Sequence, residues 1–230
     1  MTRKSTKLNH QQPTISVTVL LAIVLFGSGA ALELRAQGQF IWGNHFLGLH
    51  APIYGLDPAN PIVIKTGNTA MGIPPGTQTY AGPLLEGTGF TVGIYVGRDA
   101  FETLAQINHA QTTTFRTGAG AGVTYPMEAA APNIPPGTPN VHYQFRVWDN
   151  HGGVITSWAQ VMSAGGGAGA GTGVSDVYVF TAPLGGGNLT PPFTLGIRSF
   201  QLTALSAIPE PSVTALGAFG LGALLLRRRA

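Results

Sequence analysis

Val141-His-Tyr-Gln-Phe-Arg-Val147 alternates without a break: Val141, Tyr143, Phe145 and Val147 share one face, and His142, Gln144 and Arg146 share the other. A period of two is what an extended strand presents to a core. Asp149-Asn-His-Gly-Gly153 follows as a five-residue turn into Val154-Ile-Thr-Ser-Trp158, which predicts a hairpin. Ser199-Phe-Gln-Leu-Thr203 repeats the alternation near the end of the body. Further strand-like runs are Gln39–Trp42, Pro61–Lys65, Phe90–Gly97, Thr112–Thr117, Val154–Ala159, Asp176–Thr181 and Ile197–Leu205, with Val141 continuing to Trp148.

Composition matters here because residues 37–207 hold 28 Gly and 14 Pro, about a quarter of 171 residues, a fraction that borders on low complexity. The alternating aromatic and β-branched runs move the reading toward an all-β body, an antiparallel β-sandwich or jelly-roll-like fold with long Gly/Pro loops. Pro-Pro-Gly at 74–76 and at 135–137 marks turns. One stretch has a different pattern. Asp99 precedes Glu102 by three residues, with Phe101, Leu104 and Ala105 at helical spacing, which fits a short helix over residues 99–107. Residues 165–173, nearly all Gly and Ala, read as a flexible surface loop.

The chain lacks cysteine, so disulfide scaffolds, Cys-ligated metals and cysteine nucleophiles are excluded. Its net charge is +3, yet the basic balance sits at the ends: residues 1–36 carry +3, residues 209–230 carry +2, and the body between carries −2. No basic stripe is left to neutralise phosphates, and a nucleic-acid partner loses its support.

Arg3, Lys4 and Lys7 precede an uncharged apolar run from Ile15 to Leu32, and Leu34-Arg35-Ala36 follows before Gln37. A basic start, a short apolar core and a small residue at the cut predict a secretory signal peptide over residues 1–36, containing a signal helix and cleaved by signal peptidase between Ala36 and Gln37, with Ala30 and Ala31 as alternative cut positions. At the other end, Ile208-Pro209-Glu210-Pro211-Ser212 is followed by an uncharged segment, Val213–Leu226, and then Arg227-Arg228-Arg229. A helix over these 14 residues is about 21 Å long, short of a bilayer core of about 30 Å. Pro209 and Pro211 isolate the segment, and the three arginines can snorkel to a cytoplasmic headgroup layer. Residues 208–230 therefore read as a membrane-tethering tail with a C-terminal hydrophobic helix.

Pro-Glu-Pro, a Gly/Leu-rich apolar stretch and a terminal arginine cluster together resemble the PEP-CTERM sorting signal. That family implies export in a Gram-negative bacterium that makes exopolysaccharide, with recognition and cutting near the motif by the membrane enzyme exosortase. On the resemblance, Pro209, Glu210 and Pro211 are the recognition motif, Val213–Leu226 the helix, and Arg227, Arg228 and Arg229 the membrane stop. The protein is then tethered in the inner membrane before processing and belongs to the cell surface or extracellular matrix afterwards. The body is also similar to an uncharacterised PEP-CTERM group, through Ala36–Gly38, Phe115-Arg-Thr-Gly-Ala-Gly120, Arg146-Val-Trp-Asp149 and Ser199–Leu202. That second resemblance carries no chemistry.

The body offers few groups in catalytic patterns. There is no Gly-x-Ser-x-Gly elbow, Ser-x-x-Lys or Walker loop, and no catalytic residue or cofactor is expected. His45 and His50 stand five apart, which fits neither a helical pair nor a strand pair on one face, so no metal site is expected. The acids Asp57, Glu86, Asp99, Glu102, Glu128, Asp149 and Asp176 are scattered. Trp148 and Trp158 are candidates for stacking on sugar rings, with Trp42 a third. The expected role is a non-catalytic structural or adhesive component of the envelope or exopolysaccharide matrix. The alternatives are an extracellular polysaccharide-binding module using exposed tryptophans, and a surface glycoside hydrolase with two carboxylates facing each other across a cleft.

Overall fold

The computed structural model describes residues 37–46, 48–105, 109–163 and 171–204, all within the compact unit that begins at Ala36. Ala36, Pro209, Glu210, Pro211, Arg227, Arg228 and Arg229, with both expected terminal helices, lie outside the described residues. Among the described residues no helix is long and apolar enough to cross a membrane.

The described elements are, in chain order, β1 (Gly38–Trp42), β2 (His45–Phe46), β3 (Leu49–His50), β4 (Phe90–Gly97), α1 (Ala100–Leu104), β5 (His109–Thr114), β6 (Met127–Ala131), β7 (His142–Asp149), α2 (Trp158–Ser163), β8 (Thr172–Val174) and β9 (Tyr178–Val179). Strand residues far outnumber helical ones, and the paired strands run antiparallel. The main sheet has the order β5-β4-β7-β8, with β9 also on β7. β1 pairs with β6, Gly38 opposite Ala131 and Trp42 opposite Met127, and β2 pairs with β3.

The alternation in β7 places its side chains as the sequence indicates. Tyr143, Phe145 and Val147 are buried, together with Val92, Ile94 and Val96 of β4, because the register sets Ile94 opposite Phe145 and Val92 opposite Val147. Phe40 and Trp42 of β1 join the same apolar cluster with Phe200 and Leu202. Each such side chain contributes roughly 1.5–3 kcal/mol on burial.

The opposite face of β7 is no solvent face. Gln144, Arg146 and Trp148 are buried as well, covered by α1, α2 and Tyr95. Trp148, Trp158, Val161 and Tyr95 form a second, smaller apolar cluster there. Arg146 lies within it, donating from Nε to Gln144 Oε1 at 2.9 Å and from Nη2 to the carbonyls of Thr103 and Leu104 at 3.1 and 3.0 Å. Its guanidinium stacks 4.3 Å from the Tyr95 ring centroid. Burial is affordable because the guanidinium's donors are met and its flat face rests on an aromatic ring. Burial pushes the Arg146 guanidinium below its ordinary pKa, and Tyr95 opposes that shift.

Several expected elements are corrected. The hairpin from Val141–Trp148 into Val154–Ala159 does not form: β7 pairs with β4, β8 and β9, and Trp158 opens a helix. The reason is local. Ser157 Oγ accepts from Gln160 N at 3.3 Å, and Gln160 Oε1 accepts from Ser157 N at 3.1 Å and Thr156 N at 2.7 Å, a reciprocal capping box. Pro61–Lys65 is irregular, with Ile64 79% exposed, although Gln201 N and Ala204 N donate to the Lys65 and Pro61 carbonyls. Thr112–Thr117 is displaced: β5 starts at His109 and ends at Thr114. Residues 172–173 belong to β8 instead of a loop, and Gly173 is required there because a Cβ would lie 2.8 Å from Leu202 Cδ2. Asp176–Thr181 shrinks to β9, and Ile197–Leu205 contributes only isolated bridges at Phe200, Gln201 and Thr203.

The helix over 99–107 is present as α1, with Asp99 Oδ1 accepting from Glu102 N at 2.7 Å. Its apolar residues do not seat it, since Phe101 is 80% exposed, whereas Thr103 is buried and donates from Oγ1 to the Asp99 carbonyl at 2.8 Å.

Candidate functional site

The three tryptophans are placed first, because sugar stacking depends on them. Trp148 is 0% exposed, Trp42 1% and Trp158 7%. Trp148 sits edge-on to Trp158 with centroids 6.1 Å apart, and its Nε1 donates to the Ile155 carbonyl at 3.0 Å. Trp42 sits edge-on to Phe145 and donates to Gln111 Oε1 at 2.7 Å. A ring that stacks on a sugar must present a face to solvent, and these rings are packed against other side chains. Trp148 and Trp158 as sugar-stacking residues are thereby corrected: both belong to the cluster around Arg146. Gln37, on the far side of the expected signal cut, is exposed at the start of β1.

The acids mostly serve the local backbone. Asp57 accepts from Ala59 N at 2.9 Å and pairs with Lys65 at 3.4 Å. The Ala59 backbone N–H, helped by Asn60 and Lys65, holds its carboxyl below the ordinary value. Asp99 caps α1, and Glu102 pairs with Arg98 at 3.5 Å. Glu86 and Asp149 share a groove, about 420 Å³ in volume, whose walls include Leu56, Leu84, Phe90 and Leu202. Each of the two also supports a loop: Glu86 Oε2 accepts from Gly118 N at 3.3 Å, and Asp149 Oδ1 accepts from His151 N at 2.7 Å. The groove could accommodate part of a polar ligand, while both carboxylates hold the loops that shape it.

Two smaller depressions lie elsewhere. One, of about 300 Å³, is lined by Asn68, Pro74, Gln78 and Arg198 among others, and the buried Asn68 amide fixes its floor by bonding the Pro74 carbonyl and Ser199 N. The other, of about 260 Å³, is mainly apolar, with Ile64, Met162, Val174 and the edge of Trp158 on its walls.

The histidines are arranged differently from what the spacing indicates. His45 and His50 stand opposite each other across the β2–β3 hairpin, with Nδ1 atoms 3.0 Å apart and rings nearly perpendicular. The reason is a turn at Gly48, which takes φ +82°, a conformation glycine adopts at no steric cost. Spacing of five is a cross-strand pair once a tight turn lies between. Burial first, and then the neighbouring His45, lower the His50 imidazole below its ordinary pKa. His109 stands in β5, His142 in β7 and His151 in the turn after β7. Among the described residues no group of three or more His, Asp or Glu is placed to hold a metal ion.

No protein-family model, no curated protein and no solved structure matches the chain.

Proposed function

We propose that this chain is an exported protein of the cell surface or exopolysaccharide matrix, delivered by signal peptidase and sorted by exosortase through Pro209-Glu210-Pro211. In this reading the body has a non-catalytic structural or adhesive role, and its strands form a two-layer β-sandwich around the cluster shared by β1, β4 and β7. The observation that carries the reading is the succession of features in the tail sequence: a proline-flanked glutamate, an uncharged 14-residue segment and three arginines. Support comes from how firmly the chain is tied in before that tail. Thr203 N donates to the Thr172 carbonyl at 2.7 Å and Ala204 N to the Pro61 carbonyl at 2.7 Å, which ties residues 203 and 204 into the body.

The non-catalytic part of the reading is supported by the engagement of the acids with backbone N–H groups, and by tryptophans committed to packing. Low charge in the body and its many Gly/Pro loops suit an interaction surface.

Sorting is tested by cell fractionation of Glu210→Ala and of a variant lacking Arg227–Arg229. Both are expected to leave an unprocessed form in the inner membrane. Surface delivery of both at the wild-type level would refute the tail assignment.

A further inference from the structure

The β2–β3 hairpin holds two imidazoles in a fixed relation on its outward face. Its inward face is anchored: Leu49 is fully buried, and Phe46 packs edge-on against Phe193 with centroids 5.3 Å apart. The base of the hairpin is clamped by Asn44, whose Nδ2 donates to the Ala51 and Gly122 carbonyls at 2.9 and 2.8 Å while its Oδ1 accepts from Thr124 N at 2.9 Å. The backbone of His50 is bonded on its outer side to Ile73 in both directions, at 2.9 and 3.0 Å. The neighbouring pair Asn44–Ala51 takes a ladder bond, Ala51 N to Asn44 O at 2.9 Å. His45 and His50 therefore form the non-hydrogen-bonded pair of the ladder, where side chains approach most closely.

The distance between the two nitrogens bears on what they can hold. Imidazole nitrogens bind a first-row cation at about 2.0–2.1 Å. Two such nitrogens stand about 2.9 Å apart when they subtend a right angle at the ion, and about 3.4 Å apart at a tetrahedral angle. The separation of 3.0 Å is close to the right-angle value, which belongs to adjacent positions of a tetragonal centre as in Cu(II) or Ni(II). Without an ion, one ring donates its Nδ1–H to the other ring's Nδ1. To bind one, the donor ring moves that proton to Nε2 and both Nδ1 lone pairs turn to the cation, with no net change in protons bound. His45 is exposed, so water can complete the coordination.

We propose that His45 and His50 form a two-imidazole chelating site for a divalent first-row transition cation, with Cu(II) preferred. Preference follows the general order of affinity, Cu(II) above Ni(II) and Zn(II), and hard cations such as Mg(II), which favour oxygen ligands, are excluded. The remaining positions on the ion stay open to water or to an external ligand, which distinguishes the site from a closed structural centre.

The test titrates the full chain, in detergent micelles, with CuCl2 by calorimetry and records the electron paramagnetic resonance of the product with pulsed detection of coupled nitrogens. The expected result is one tight equivalent of copper with two equatorial imidazoles. His45→Ala and His50→Ala are each expected to weaken binding about 100-fold, the loss of a linked second ligand's effective concentration, and to reduce the signature to one imidazole. His151→Ala serves as a control and should change neither. Wild-type affinity in the His45→Ala/His50→Ala double variant, or a wild-type spectrum with fewer than two imidazoles, would overturn the proposal. The wild-type spectrum decides the matter even where a variant folds poorly.

Discussion

Arg146→Ala is expected to lower stability in chemical denaturation by about 3 kcal/mol, the combined cost of the hydrogen bonds lost at a buried site and of the packing around them. Arg146 is 2% exposed and serves three acceptors: Gln144 Oε1 and the carbonyls of Thr103 and Leu104. The two carbonyls lie at the end of α1, where orphan acceptors need partners. Removing the guanidinium also leaves a void beside Tyr95 and Trp158, whose rings lie 4.3 and 5.7 Å from its central carbon. Arg146→Lys should recover little, because one ammonium cannot reproduce a planar fork that bonds in two directions while lying flat on a ring. A variant within about 0.5 kcal/mol of wild type would show that α1 and α2 dock on the sheet without the arginine.

Trp42→Ala is expected to cost about 3–5 kcal/mol, as for other large buried aromatics. The residue is fully buried and links two separate ladders: it belongs to β1, packs edge-on against Phe145 of β7, and bonds Gln111 of β5. Trp42→Phe separates the contributions. It keeps most of the packing and loses the Nε1–H donor, so Gln111 Oε1 loses a bond worth about 1 kcal/mol. Thermal and denaturant unfolding of the two variants measure the difference. Equal losses in both would mean that the hydrogen bond, and not the packing of β1 on the main sheet, carries the effect.

These two residues also mark where the sequence was legible. The alternation of Val141 to Val147 identified a strand and its apolar face, since a period of two leaves little choice once Tyr143 and Phe145 must be buried. The same alternation puts Arg146 on the polar face with His142 and Gln144, and the polar face of an alternating strand ordinarily meets water. The helices that cover it, α1 and α2, end 42 residues before it and start 12 residues after it, so the strand's own pattern does not announce them. The pairing of β4 with β7 is equally non-local and leaves no mark in either strand. Met127–Ala131 was missed as a strand because three successive alanines lack β-propensity; its partner β1 supplies the pattern. By contrast, the start of α2 was available in Ser157-Trp-Ala-Gln160, a capping box overlooked in favour of the β-branched run before it.

The candidate sites follow the same division. Trp148 and Trp158 attract attention as isolated tryptophans in a Gly-rich chain, and burial decides their role. His45 and His50 are discounted on a spacing that fits neither a helical pair nor one face of a strand, and Leu47-Gly48 is not among the strong hairpin dipeptides that mark a turn. Glu86 and Asp149 line one groove although they stand 63 residues apart in sequence, a juxtaposition that spacing alone does not encode.

If the two ends direct the body to the cell surface and are removed on the way, the surface form of the protein lacks both. Peptide mapping by mass spectrometry of the protein recovered from the surface fraction reads both ends at once. The expected form begins at Gln37 and yields no peptide from Val213 to Ala230. Surface protein that still carries Arg227–Arg229, or that begins at Met1, would contradict the claim.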